Sequence, residues 1–279
     1  MPDLTNGGSH DLTRSRKTVG PLSWRELASD LVRSSKTGEG VRDYINLGRR
    51  WLMKAHQLGA PGSEVVQAHG KMIDFLLQRL FRLAEDEYLT GHSTDKGPCA
   101  VVAQGGYGRE ELNPYSDIDI LFLYRWRAAP YVAVVAEKIL YPLWDAGLTV
   151  GHATRTLTEC IRRARVDHVI QTALVDARHV SGDERLYADL QRLVWRQLGG
   201  SAQDRFVETK LSEYRQRHQR HGESVFLLEP DIKEGQGGLR DIHTAMWIAR
   251  AKNGPVKLHD LPKTGLLDSR DVVALECGR

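Results

Sequence analysis

Apolar positions in the first third of the chain follow a helical period. Between residues 63 and 89 they recur at spacings of seven, four, three and four, at Val66, Ile73, Leu77, Leu80 and Ala84. This spacing places them on one face of a helix, and a similar pattern predicts a helix over residues 41–58. Residues 1–40 are mostly polar, so we expect a disordered tail and linker there, interrupted by a short helix at 23–33.

After residue 97 the pattern alternates between short apolar runs and helical segments. Four runs have the length and composition of strands, at 101–103, 116–123, 148–155 and 174–180. Helices are predicted at 131–145, 183–198 and 201–221. Thr156 with Glu159 has the spacing of a helix N-cap. The alternation predicts an α/β fold, with a core at 98–182 between helical regions at 41–97 and 183–279.

Composition limits the classes of function. The chain has 279 residues, 41% hydrophobic and 27% charged, which is ordinary for a soluble globular protein. Its net charge of +3 (39 basic minus 36 acidic residues) is too weak to indicate nucleic acid or a membrane as partner. Three cysteines without a C-x-x-C pair favour reduced thiols, and neither a membrane-spanning run nor a secretion signal is evident, so a cytoplasmic location is expected.

Candidate chemistry is concentrated in residues 99–124, with the sequence CAVVAQGGYGREELNPYSDIDILFLY. The strand at 101–103 ends at Gly105 and Gly106, where backbone N–H groups can approach a ligand without a Cβ atom in the way. Arg109 follows with a forked, permanently charged donor that suits phosphate oxygens. This segment therefore predicts a phosphate-binding turn.

Two carboxylates follow on the next strand, at Asp117 and Asp119. Side chains two residues apart in a strand point to the same side, and two carboxylates held this close raise each other's pKa unless a cation lies between them. Mg²⁺ prefers one or two carboxylates together with substrate phosphates. The pair predicts a site for Mg²⁺ or Mn²⁺ beside the glycine turn.

A glycine turn alone is often only a tight turn, and a D-x-D pair alone is often only a solvated strand end. Here the two motifs have the order and spacing that a single phosphate and metal site requires. The pattern GGYGRxExxPxSDIDxLxL resembles the nucleotidyltransferase signature of the DNA polymerase β superfamily, and within it the bacterial PII uridylyltransferase family. The resemblance implies a polymerase β-type fold with a small mixed sheet, and it adds Ser116 to the nucleotide-binding candidates. Many relatives carry a small residue where this chain has Glu110, which weakens the expected triphosphate site.

Asp176 is the candidate for a third carboxylate. It lies within the apolar run at 174–180, and charges are seldom buried unless they are paired or bound to metal. In the superfamily a carboxylate on a neighbouring strand both binds metal and acts as general base, which the resemblance implies for Asp176. An ion pair with Arg178 is the rival interpretation.

A second glycine-rich motif occupies residues 229–243, with the sequence EPDIKEGQGGLRDIH. A cationic glycine loop precedes a predicted helix, whose N-terminal amides favour an anion. Lys233 and Arg240 are candidates for phosphate or ribose contacts, together with Gly237 and Gly238, although a loop held by salt bridges is the plainer interpretation. The motif also resembles the segment that follows the nucleotidyltransferase core in the PII uridylyltransferase family.

The resemblance implies transfer of UMP from UTP to a tyrosine of the nitrogen-signalling protein PII, with release of pyrophosphate. Two alternatives remain open. One is adenylylation of glutamine synthetase or another protein, because no residue above distinguishes uracil from adenine. The other is a non-catalytic nucleotide-binding module with a regulatory role.

Full-length members of the resembled family continue into an HD hydrolase domain and then into ACT domains that sense glutamine. We interpret His259 and Asp260 as a turn before Pro262, since a catalytic HD site needs several ligands spread over a helical domain. The expectation is that this chain attaches nucleotides but neither removes them nor responds to glutamine.

Overall fold

The computed structural model describes residues 38–91, 96–125, 130–221 and 231–278. Its helices are α1 (Gly38–Gln57), α2 (Gly62–Gly91), α3 (Gly105–Gly108), α4 (Pro130–Asp145), α5 (Leu157–Ala164), α6 (His168–Val175), α7 (Glu184–Gln197), α8 (Ser201–His221), α9 (Leu239–Asn253), α10 (Leu261–Thr264) and α11 (Ser269–Gly278). Its strands are β1 (Cys99–Ala103), β2 (Ile118–Tyr124), β3 (Val150–Thr156) and β4 (Arg178–Gly182). The predicted long helices are confirmed, whereas the tail and the helix at 23–33 lie outside the described residues.

The four strands form one mixed sheet in the order β3-β2-β1-β4. β1 is antiparallel to both of its neighbours, with Val101 opposite Phe122 of β2. β2 and β3 run parallel, with Asp119 opposite Gly151, and α4 lies in the connection that such a parallel pair needs. The predicted α/β fold with a small mixed sheet is confirmed.

Helices cover both faces of the sheet, which explains why its central strands are apolar without alternation. On one face Val101 and Phe122 pack in a core with α1, α2 and α4. On the other face Val102 and Leu121 pack with residues of α5 to α9. The sheet therefore shares one core with the helices before it and another with the helices after it. The domain boundaries predicted from the sequence stay predictions.

The strand predicted at 174–180 is wrong in its first half. Asp167 caps α6 by accepting hydrogen bonds from two amides of the first turn, and the helix continues to Val175. Asp176 is the C-cap residue with helical φ and ψ, and β4 begins only at Arg178. A short apolar run fits a buried helix end as well as a strand, so its hydrophobicity could not separate the two.

Two local predictions agree with the structure. Thr156 and Glu159 form a reciprocal capping box at the start of α5. His259 and Asp260 lie in a 3-10 turn that leads into α10, where Pro262 takes a first-turn position. None of the helices in the described ranges is long and apolar enough to cross a membrane.

Candidate nucleotide and metal site

The glycine segment after β1 is one helical turn, α3. Gly105 begins it in the left-handed region with φ of 57°, and a Cβ atom there would lie 2.8 Å from Oδ2 of Asp119. A Cβ atom at Gly108 would overlap the backbone oxygen of Asp176. Packing inside the protein therefore requires glycine at both positions, whatever ligand is present.

Gly106 differs from these two glycines. A Cβ atom there would lie 3.4 Å from the backbone oxygen of Glu111 and 3.8 Å from Nη2 of Arg109, which is ordinary contact. The protein itself therefore leaves room for a small side chain at this position. The amides at the start of a helix also have no intrahelical acceptor, so this turn can present N–H groups to an anion beside Arg109.

The two predicted metal ligands lie at the start of β2. Asp117 is exposed just before the strand, and Asp119 is half-buried as its second residue. Burial raises the pKa of Asp119 above its ordinary value of 3.8, the charge of Asp117 raises it further, and Arg109 opposes both. Asp119 therefore carries a charge that the fold only partly compensates.

Space around the Asp119 carboxylate comes from two glycines on different elements. A Cβ atom at Gly105 of α3 would lie 2.8 Å from Oδ2, and a Cβ atom at Gly151 of β3 would overlap Oδ1. Gly151 was not identified from the sequence, because its role depends on the pairing of β2 with β3. A side chain at Gly105 or at Gly151 would therefore collide with the Asp119 carboxylate.

A divalent cation fits this pair of carboxylates. Mg²⁺ takes one or two carboxylates and completes its shell with water and phosphate oxygens. Within the described ranges no group of three or more His, Cys, Asp or Glu side chains is arranged to hold a metal ion. The structure therefore brings Asp117 and Asp119 together but does not add Asp176 to them as a third ligand.

Asp176 is instead surrounded by hydrogen-bond donors. Its side chain is 1% exposed and accepts from Nη1 of Arg109 at 2.7 Å and from Nη1 of Arg250 at 2.8 Å. The indole N–H of Trp247 lies 3.0 and 2.9 Å from its two oxygens. Arg178, the partner considered from the sequence, binds Asp74 at 2.9 Å. An ion pair does neutralise Asp176, although with arginines the sequence did not indicate.

Glu111 and His243 complete the surroundings of Arg109. Glu111 accepts from Nε of Arg109 at 2.8 Å, and Nε2 of His243 lies 2.7 Å from the same carboxylate oxygen. Burial, followed by the charges of Arg109 and Arg240, lowers the pKa of His243 to about 3. The ring is therefore neutral at pH 7 and donates its Nε2 hydrogen to Glu111. His243 ends the second motif, and only the fold revealed its partner.

The second motif is a loop fixed by its own side chains. Asp231 accepts from the amides of Lys233 and Glu234, both at 2.9 Å, and Asp241 accepts from the amide of Gly237 at 2.9 Å. Arg240 binds Glu234 at 3.0 Å. The salt-bridged loop considered from the sequence is therefore present.

The remaining candidates of that loop differ in exposure. Lys233 is exposed, and Gly238 is the N-cap residue of α9. Ser116, beside the carboxylate pair, is exposed and donates its amide to the backbone oxygen of Asn113 at 3.0 Å. These positions stay predicted contacts of a nucleotide.

Trp247 joins the two motifs. Its ring centroid lies 5.8 Å from the guanidinium carbon of Arg109 and 5.6 Å from that of Arg240. Nζ of Lys210, on α8, lies 5.2 Å from the same ring. Three cations therefore lie around one indole, and each of them also pairs with a carboxylate: Arg109 with Asp176 and Glu111, Arg240 with Glu234, and Lys210 with Glu213.

Two family models match the chain. The GlnD PII-uridylyltransferase family matches residues 205–278, and the nucleotidyltransferase family DUF294 matches residues 49–159. The second match includes β1, α3 and β2 with both aspartates, and the first includes the loop at 231–238 and α9.

Curated relatives are each described as a bifunctional uridylyltransferase/uridylyl-removing enzyme. The protein from Rhodospirillum rubrum is 42% identical over 75% of this chain and 22% of its own length. Those from Azospirillum brasilense and Caulobacter vibrioides are each 36% identical, over 89% and 94% of this chain and 28% of their own length. The chain thus spans about a quarter of the length of these relatives. The resemblance found from the two motifs is confirmed: residues 49–159 match a nucleotidyltransferase family, and the chain is similar to the bifunctional uridylyltransferase/uridylyl-removing enzymes.

Proposed function

We propose that this chain transfers UMP from UTP to a tyrosine hydroxyl of the PII signalling protein and releases pyrophosphate. The observation that supports this most directly is the carboxylate pair at the start of β2, Asp117 and Asp119, beside the glycine turn α3 and Arg109. The names of the relatives and of the family model add the uridylyl group and PII.

Each group of the site has a role in this proposal. Asp117 and Asp119 bind Mg²⁺ or Mn²⁺, and Arg109 with the amides near Gly105 and Gly106 binds the triphosphate. When bound, the cation neutralises phosphate charge and lowers the pKa of the attacking hydroxyl. Lys233 of the second glycine loop and Arg240 in the first turn of α9 contact the nucleotide, as do Ser116, Gly237 and Gly238. Arg109 and the amides near Gly105 and Gly106 stabilise negative charge as it develops on the leaving pyrophosphate.

The transfer balances without a further reactant. The tyrosine oxygen bonds to the α-phosphorus of UTP, the bond from that phosphorus to the bridging oxygen breaks, and pyrophosphate leaves with the electron pair. The hydroxyl proton passes to water. Asp176 is not assigned as its acceptor, because both of its oxygens already accept hydrogen bonds from charged or indole donors.

The test is to incubate the protein with Mg²⁺ and α-labelled UTP or ATP, in the presence of PII or glutamine synthetase. We expect label on PII from UTP, and a loss of more than about a hundredfold in Asp119→Asn, because even outer-shell partners of metal ligands contribute 10–100-fold. Label from ATP on glutamine synthetase would support the adenylyl alternative. Triphosphate binding without transfer to either protein would support the non-catalytic alternative.

A further inference from the structure

The carboxylate of Asp176 has no oxygen left for a metal ion. Oδ1 accepts from Arg250 and Trp247, and Oδ2 accepts from Arg109 and Trp247, all within 3.0 Å. Arg109 also pairs with Glu111, so the two arginines and the two carboxylates balance in charge. A divalent cation would have to displace the arginine and indole donors from Asp176, and the two guanidinium charges beside it would repel the cation.

Arg109 is held from two sides by these contacts. Nη1 binds Asp176 and Nε binds Glu111, which also receives the Nε2 hydrogen of His243. The side chain of Arg109 is only 12% exposed. Nη2 faces the glycine turn, 3.8 Å from where a Cβ atom of Gly106 would lie. The Nη2 edge of the Arg109 guanidinium is therefore directed at the glycine turn α3.

We propose that α9 positions Arg109: Trp247 and Arg250 act through Asp176, and His243 acts through Glu111. Asp176 is then the counter-ion that orients Arg109 and is not a metal ligand. The assignment gives the helical part of the second motif a role other than direct nucleotide contact. It rests on the proposed function only for the statement that Arg109 binds the triphosphate.

The first test follows Arg109 itself. Trp247→Phe keeps a ring in the core and removes the indole N–H, and Trp195→Phe is a matched control that removes another indole hydrogen bond, to Gln191. In the unaltered protein and the control, the Nε–H resonance of Arg109 in an NMR spectrum should be sharp and slow to exchange. It should broaden or disappear in Trp247→Phe. An unchanged resonance would overturn the proposal.

His243→Ala keeps the proposal testable if Trp247→Phe does not fold. It removes the donor to Glu111 on the other side of Arg109. We expect the same broadening of the Arg109 resonance, because the Glu111 carboxylate is no longer fixed. A folded His243→Ala variant with an unchanged resonance would count against the positioning role of α9.

The second test separates metal from triphosphate. Mn²⁺ binding, measured by calorimetry without nucleotide, should be unchanged in Trp247→Phe and Asp176→Asn and lost in Asp119→Asn. Triphosphate affinity should fall about tenfold in Trp247→Phe, the usual effect of one hydrogen bond to a charged group. Loss of Mn²⁺ binding in Asp176→Asn would overturn the proposal. If the unaltered protein binds no triphosphate, the proposed function fails, whereas a broadened Arg109 resonance still supports the positioning role.

Discussion

The fold disfavours the ionised form of the Asp119 carboxyl group. Burial and the neighbouring Asp117 both raise its pKa, and Arg109 compensates only in part. A carboxyl group whose pKa is raised by folding stabilises the folded state while it is protonated. That contribution is lost as the pH rises from its ordinary pKa through the raised one. A bound cation would remove the penalty, so proton and cation compete for the same carboxylate.

The first prediction is a pH-dependent cation affinity. Mn²⁺ affinity should fall as the pH is lowered through the raised pKa of Asp119, at a pH above the ordinary 3.8. Without cation, the thermal midpoint should decline as the pH rises through the same range, and Asp119→Asn should remove this contribution. Calorimetry and thermal melts over a pH series measure both. A cation affinity independent of pH in this range would contradict the assignment.

The second prediction concerns Glu110, where a small residue was expected from the resemblance to the family. Among the described residues it is the one non-glycine residue with a positive φ, 65°. A left-handed backbone conformation costs about 1–2 kcal/mol for a residue with a Cβ atom. Replacing Glu110 with glycine removes this cost, but the greater flexibility of glycine in the unfolded chain offsets part of the gain. Glu110→Gly should therefore stabilise the protein by about 0.5–1 kcal/mol in denaturant unfolding.

The control for this prediction is Glu110→Ala, which removes the same charge and keeps the Cβ atom. It should show no comparable gain in the free energy of unfolding. An equal gain in both variants would assign the effect to the charge of Glu110 and not to its backbone conformation.

Pairing of β2 with β3 explains a glycine in an exposed strand. Gly151 lies opposite Asp119, and a Cβ atom there would overlap Oδ1 of that carboxylate. Its own φ does not require glycine, and glycine weakens strands. The close approach of the carboxylate is therefore the reason for glycine at this position.

The third prediction is that Gly151 and Asp119 are energetically coupled. Gly151→Ala should displace the carboxylate and lower Mn²⁺ affinity by about tenfold or more. In an Asp119→Ala background the overlapping oxygen is absent, so the same change should be neutral or stabilising by about 0.5–1 kcal/mol. A double-mutant cycle on the free energy of unfolding measures this coupling. Additive effects would show that the overlap is relieved without moving the carboxylate.

At the scale of the whole molecule, the sheet depends on helices that lie before and after it in the chain. α1 and α2 cover one face, and α7 and α9 cover part of the other. The fourth prediction is that residues 98–182 alone, the nucleotidyltransferase core delimited from the sequence, do not fold cooperatively. Removing α1, α2 and α7 to α9 would expose part of each apolar face to water, because α4 remains over one face and α5 and α6 over the other. Circular dichroism on this fragment and on residues 38–278 tests this, and a cooperative melt of the short fragment would contradict it.

Features that depend on neighbours a few residues apart could be predicted from the sequence. Helical periods, the cap at Thr156, and the apolar runs of β1 and β2 are local patterns. The glycine turn followed by Asp117 and Asp119 is local as well, so both the motif and the resemblance were visible without a structure.

Which side chains meet in the site depends on the packing of elements that are far apart in the chain. The donors to Asp176 are Arg109, Trp247 and Arg250, which are 67, 71 and 74 residues away in the chain. No short-range period encodes contacts at such separations, and the short apolar run at 174–180 did not distinguish helix from strand around Asp176. Burial among these donors, which exists only after α9 packs against α6, gives Asp176 two arginine partners that its neighbours in the sequence do not indicate.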